Sequence, residues 1–228
     1  MKRAGLIGGV SWHSTMDIYR DVNQYVASEK GENNCAKLIL DNLNLSDILN
    51  AEKRTSKEDI ITASAKRLQL AGADFIALCS NGLHQFADEI TQAVNIPFIH
   101  IAESTADEIL RNGYRKVGLL GVLETMEQSF YKEKLIKKGL SVLIPEKEER
   151  VFIDRVLFEE TGKGIVKEQS SKKFYEISES LAARGADCVI LGCTEIGMLM
   201  QQEYTNIPLF DTAKIHAETI GRLCCLDN

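Results

Sequence analysis

Short apolar runs rich in β-branched residues recur along this chain, each closed by small or polar residues and followed by a stretch with helical spacing. Such alternation predicts parallel strands joined by helical crossovers, an α/β fold. Strands are expected at residues 4–7, 37–41, 75–78, 97–100, 116–120, 141–144, 188–191 and 208–210, with helices between them. One helix is expected over 56–71, where Ser56 and Asp59 make a capping-box-like start with Asp in place of the usual Glu or Gln. Asn112-Gly113 and Lys138-Gly139 read as helix stops that precede strands.

The pattern is also a repeat. Gly5-Leu6-Ile7-Gly8 returns as Gly118-Leu119-Leu120-Gly121, and Gly72-Ala73-Asp74 returns at the same offset as Gly185-Ala186-Asp187. Carried on without a gap, that offset sets Ser80 opposite Cys193. Asn95-Ile96-Pro97 reappears as Asn206-Ile207-Pro208, and Thr15-Met16-Asp17 echoes Thr125-Met126-Glu127, both with the offset slightly relaxed. A register held across separated segments predicts two similar doubly wound parallel-sheet lobes related by a pseudo-twofold, with an active site between them. The expected division is 1–98 plus 209–228 for the first lobe and 99–208 for the second.

Composition narrows the function classes. The net charge is −6 and there is no basic tract, so nucleic acid and anionic lipid are not expected partners. No segment reaches the twenty or so apolar residues of a membrane span, and the N-terminal apolar run is too short for a signal peptide, which points to the cytoplasm. Six cysteines, at 35, 79, 188, 193, 224 and 225, are then expected as free thiols. No Cys-x-x-Cys step and no histidine at ligand spacing accompanies them, so no metal is expected.

In open parallel sheets ligands bind beyond the carboxyl ends of the strands. Gly8-Gly9, Ser80-Asn81-Gly82, Gly121-Val122 and Cys193-Thr194 all fall at such ends. Gly8-Gly9 lacks dinucleotide spacing and a Walker lysine, which disfavours a nucleotide, but its glycines would let backbone approach a small ligand. Cys193 is the leading catalytic candidate, because a thiol between a strand end and a helix N-terminus is expected to deprotonate readily. Thr194 is a candidate for binding substrate. Glu195 either tunes the thiol or stabilises the first helical turn.

These residues resemble the cofactor-independent aspartate/glutamate racemases of the Asp/Glu/hydantoin racemase superfamily, essentially end to end. The resemblance rests on Gly5 through Thr15, on Asn81-Gly82-Leu83-His84, on Thr125-Met126-Glu127-Gln128, on Gly192-Cys193-Thr194-Glu195-Ile196, and on Phe210-Asp211-Thr212-Ala213 with His216-Ala217-Glu218. It implies an isomerase that needs no pyridoxal phosphate or other cofactor, in which two opposed groups exchange the α-proton of a small amino-acid or dicarboxylate substrate. Cys193 would supply one group, while Ser80 stands where the family has its other cysteine. Cys79, one residue earlier, should face away from substrate by strand alternation.

The resemblance further implies substrate-binding positions at Val10, Asn81, Gly82, Thr125, Lys163 and Thr194, with His84 and Glu195 in support. His84 is the adjacent base that a serine at position 80 would need for activation. Gly82 and Val122 replace hydroxylated residues of the family pattern, and Lys163 matches a lysine that binds the substrate's side-chain carboxylate in some members. Members with a hydroxyl residue at the first corner favour the L enantiomer, so the expected activity is lopsided. A one-thiol isomerase or decarboxylase of small carboxylates and a catalytically silent carboxylate binder are the alternatives, and a homodimer is compatible with each.

Overall fold

A computed structural model describes residues 1–51 and 54–227 of the 228-residue chain. The chain forms two compact units, Met1–Ile101 with the chain from His216 onward, and Ala102–Ile215.

In the first unit the elements run β1 (Arg3–Gly8), α1 (Trp12–Lys30), β2 (Lys37–Asn42), α2 (Leu45–Asn50), α3 (Arg54–Leu70), β3 (Phe75–Leu78), a 3-10 turn (Gly82–Phe86), α4 (Ala87–Ala93) and β4 (Phe98–Ile99). The strands form one parallel sheet in the order β2-β1-β3-β4. Alternation along β1 and β3 sorts the core onto the sheet's two faces. Ile7, Ile76 and Leu78 meet Ile61, Ala65 and Leu68 of α3 on one side. Leu6, Phe75, Ala77 and Cys79 meet Ile18, Val22 and Val26 of α1 on the other. Those three α1 residues recur every fourth position as one apolar stripe, and each is at most 1% exposed. Burying each contributes roughly 1.5–3 kcal/mol.

The second unit continues with α5 (Ile101–Arg111), β5 (Lys116–Leu120), α6 (Leu123–Glu127), α7 (Ser129–Lys137), β6 (Ser141–Leu143), α8 (Lys147–Glu159), a 3-10 turn (Thr161–Lys163), α9 (Glu168–Ala183), β7 (Cys188–Leu191), a 3-10 turn (Thr194–Met198) and β8 (Leu209–Asp211). Its parallel sheet has the order β6-β5-β7-β8, the same winding as the first. Leu120, Val189 and Leu191 pack on Ile153, Val156 and Leu157 of α8 and on Phe174, Ile177 and Leu181 of α9. The last helix, α10 (Thr212–Cys224), leaves β8 and sends Ala217, Ile220 and Cys224 into the first unit's core.

The repeat is visible as packing. A Cβ on Gly5 would lie 3.0 Å from Cβ of Ala73 and 3.1 Å from that of Leu68, and one on Gly118 would lie 2.9 Å from Leu181 Cδ1. Glycine is what lets α3 and α9 seat this closely on their sheets. Asp74 accepts the Arg3 N–H at 2.6 Å, and Asp187 accepts the N–H groups of Arg115 and Lys116 at 3.0 and 2.8 Å. Each aspartate ties off the first turn of backbone entering a central strand.

Two expectations need adjustment. The return to the first unit lies later than residue 208, because Leu209, Phe210 and Asp211 pair with Val189, Ile190 and Leu191. Helix α3 begins at Arg54, so Ser56 sits inside it and is not its cap. Among the described residues no helix is long and apolar enough to cross a membrane.

Candidate active site

In the first unit, β1 ends in Gly8-Gly9. Gly9 has φ +92°, and a Cβ there would strike the Leu43 carbonyl oxygen at 2.0 Å. The close approach expected for a ligand is thus made by the backbone of Leu43, whose N–H also bonds the Gly8 carbonyl at 2.9 Å. The Gly9 N–H is satisfied by Thr15 Oγ1 at 3.0 Å, and Thr15 in turn donates to the Ser11 carbonyl at 2.9 Å. Val10 packs half-buried against the α3 side of the core. Trp12 and His13 stack at 3.6 Å at the start of α1, with Trp12 61% exposed.

At the end of β3 the chain alternates as expected. Cys79 lies in the α1 face of the core, 1% exposed, and burial pushes its thiol up to about 12. Ser80 is next, half-buried, and Asn81 is buried at the head of the 3-10 turn. A Cβ on Gly82 would meet nothing within 4 Å among the described residues, so the hydroxyl side chain absent here leaves open space.

His84 does not reach the Ser80 hydroxyl. Its Nδ1 lies 2.7 Å from the Ser80 carbonyl, and its Nε2 accepts the Ile101 N–H at 3.1 Å. A carbonyl can only accept and an N–H can only donate, so the buried ring is a neutral imidazole with its proton on Nδ1. Both nitrogens are committed to backbone, which removes His84 as the base for Ser80. It braces the corner, with His100 and His216 packed beside it at ring separations of 4.6 and 6.0 Å.

In the second unit, β7 runs into Gly192-Cys193, and the ladder ends with the Gly192 N–H on the Leu120 carbonyl at 2.7 Å. The chain then enters a tight 3-10 turn and no α-helix, with Ile196 N–H on the Cys193 carbonyl at 3.1 Å. The expected α-helix is a 3-10 turn instead, and although the Thr194 and Glu195 N–H groups at its start still favour the thiolate, their pull is outweighed. The Cys193 thiol donates to Glu195 Oε2 at 2.8 Å, and the Thr194 hydroxyl donates to the same oxygen at 2.7 Å. Burial, reinforced by the Glu195 carboxylate, holds the thiol well above its ordinary range. Cys193 rests protonated, against the expectation of a ready thiolate, and beside a carboxylate that can take its proton.

Thr125, in the first turn of α6, is fully buried, and its Oγ1 has no hydrogen-bond partner among the described residues. A Cβ on Gly121 would lie 3.1 Å from Thr125 Cγ2, and one on Gly192 3.4 Å from it, so the residue is wedged under the ends of β5 and β7. Its repeat counterpart Thr15 has both hydrogen bonds made within the fold. Val122 caps nothing with its side chain; Asp154 of α8 takes over by accepting the Leu123 N–H at 2.9 Å. Local spacing gives no sign of that contact across so much chain. Lys163 is exposed, on a turn that packs against the Thr194–Met198 turn. Asp211 and Thr212 cap and tether: Asp211 Oδ1 accepts the Ala213 N–H at 3.0 Å, and the Thr212 hydroxyl donates to the Leu191 carbonyl at 2.8 Å.

The structure thus groups Ser80, Asn81, Gly82 and His84 at one strand end, with Val10 at the neighbouring one. It groups Thr125, Cys193, Thr194, Glu195 and the Lys163 turn at the other unit's strand ends. Among the described residues no set of three or more His, Cys, Asp or Glu side chains is arranged to hold a metal ion.

Comparison with known proteins identifies the family. A protein from Yersinia pestis assigned to the Asp/Glu racemases superposes with a TM-score of 0.94 at 36% identity, covering 99% of this chain and 100% of that one. An aspartate racemase homologue from Pyrococcus horikoshii gives a TM-score of 0.87 at 33% identity, with 99% and 100% coverage. The broad specificity amino-acid racemase RacX of Bacillus subtilis is 26% identical over 163 residues, 72% of this chain and 70% of that protein. The Asp/Glu/Hydantoin racemase family model matches residues 7–220, and this chain belongs to that family.

Proposed function

We propose that the protein is a racemase of aspartate- or glutamate-like amino acids that exchanges the α-proton without pyridoxal phosphate, with Cys193 as the principal acid/base group. The observation that carries this reading is the Cys193 thiol donating to the Glu195 carboxylate at the end of β7. A resting thiol is ready to protonate a carbanion. To act as a base it passes its proton to Glu195, becomes thiolate, takes the substrate's α-proton and becomes thiol again. The buried, unpartnered Thr125 hydroxyl supports a role as donor to the α-carboxylate, since an unmet buried hydroxyl costs about 1–3 kcal/mol that a ligand's oxygen would remove. Asn81, Gly82, Val10 and Thr194 are proposed to complete the binding of the amino-acid head, and Lys163 that of the side chain.

Ser80, the counterpart of Cys193 in the repeat, is proposed as the acid/base group for the other face of the α-carbon. With His84 committed to backbone it is the weaker of the two, which favours unequal handling of enantiomers. The free thiols at Cys35, Cys79, Cys188, Cys193, Cys224 and Cys225 are in keeping with a reducing compartment such as the cytoplasm. The test is α-deuterium uptake from each pure enantiomer of aspartate and glutamate. Wild type should incorporate deuterium faster from one enantiomer, by family resemblance the L form. Cys193→Ala should lose exchange from both while keeping its fold by circular dichroism. Undiminished exchange in that variant would overturn the assignment.

A further inference from the structure

Glu160 is a buried carboxylate that the proposed chemistry leaves unused. It stands directly after α8, is 3% exposed, and gathers three partners. Ser170 Oγ donates to one oxygen at 2.6 Å, while Lys167 Nζ lies 3.1 Å and Arg155 Nη1 3.5 Å from the other. Ser170 holds the carboxylate below its ordinary range, with Lys167 and Arg155 adding to the effect against burial. Its carbonyl is also occupied, accepting the Lys163 N–H at 2.9 Å and the Ile165 N–H at 3.0 Å. The Lys163 turn is therefore bonded to the Glu160 backbone, while the Glu160 side chain ties that same residue to Ser170 of α9.

The same helix serves the neighbouring turn. Ser171, next to Ser170 on α9, donates to the Leu199 carbonyl at 2.5 Å, just past the turn that begins at Thr194. Adjacent serines thus pin the Lys163 turn, through Glu160, and the Cys193–Glu195 turn, through Leu199, to one rigid element. Glu160 also pairs with Lys167 and Arg155, whose side chains stay largely exposed, so that two cations close to Lys163 in sequence are already engaged.

We propose that Glu160 is a positioning residue for substrate side-chain selection: it sets the Lys163 turn against the Cys193 turn and keeps competing cations occupied. The proposal rests on the racemase reading and on Lys163 as the side-chain carboxylate partner. It predicts selectivity for acidic over uncharged amino acids that depends on Glu160 although Glu160 touches no substrate.

The experiment compares wild type with Glu160→Gln, which keeps an acceptor for Ser170 but loses the charge, and with Glu160→Ala. For aspartate and glutamate, KM should rise on the order of threefold to tenfold in the glutamine variant and further in the alanine variant, with kcat at saturation little changed. Exchange from asparagine and glutamine should stay at the wild-type level, and amide hydrogens of Lys163 and Ile165 should exchange faster with solvent. A role confined to stability would lower kcat for every substrate alike and leave KM unchanged, and that outcome would overturn the proposal. Unchanged amide exchange would overturn it as well. If wild type takes up no α-deuterium from any amino acid, the racemase reading and the selectivity claim fail together, and amide exchange still decides whether Glu160 anchors the turn.

Discussion

At the scale of single residues, Glu195 has two effects on Cys193 that can be separated. Its charge opposes thiolate formation, while its oxygen accepts the thiol's hydrogen bond and, on the proposed mechanism, its proton. Glu195→Gln should therefore make Cys193 react faster with iodoacetamide at mildly alkaline pH and yet slow α-proton exchange by about two orders of magnitude. Alkylation and exchange moving in the same direction would show that the carboxylate does not receive the proton. Cys79 is the control. Cys79→Ala should keep exchange activity and cost roughly 1 kcal/mol in denaturant unfolding, the price of one small atom missing from a filled core. Strand alternation was enough to place Cys79 in the core, while Cys193 stays partly exposed at the end of β7. Alternation could not show that Glu195 turns back toward the thiol, because Thr194 and Glu195 belong to a 3-10 turn whose side-chain directions differ from those of the expected α-helix.

At the scale of elements, the strand positions were legible because β-branched runs with turn residues after them are a strong local signal. The expectations for 75–78, 116–120 and 188–191 coincide with β3, β5 and β7. Contacts made by residues far apart were not legible. Asp154 capping α6, and Glu160 carrying the Lys163 turn, depend on where α8 comes to rest. The glycine at the heart of each repeated strand is a packing device, and this can be tested. Gly118→Ala would set a methyl 2.9 Å from Leu181 Cδ1 and 3.3 Å from Val189 Cγ2, and overpacking of this kind costs about 1–3 kcal/mol. The loss should show as a lowered denaturation midpoint and shrink in a Leu181→Ala background. Equal losses in both backgrounds would mean that the helix seat is not what the glycine protects.

For the molecule as a whole, acid should be the weak side of its stability. His216 is fully buried, and burial lowers its pKa to about 3 from an ordinary 6.5, although the Leu78 backbone pulls the other way. The unfolded chain takes up that proton near pH 6.5 and the folded chain only near 3, so stability is full above the first value and falls as pH drops through the interval. The loss amounts to a few kcal/mol. Thermal unfolding between about pH 7 and pH 4 should show a steadily falling midpoint, less steep in His216→Phe. A midpoint flat across that range would exclude a neutral buried imidazole at this position.

The glycine–leucine seats of α3 and α9 stand at the same offset as Ser80 and Cys193, yet the seats match and the two chemical residues do not. A half-length chain that paired with itself would carry a single codon for both corners, and any change at one would appear at the other. In a single chain each corner has its own codon. Glycine and leucine are needed in both halves, since each helix must seat on its sheet, while positions 80 and 193 can change independently. On the proposed racemase reading, a point mutation at either corner would then shift the balance between the two faces of the substrate without touching the other corner.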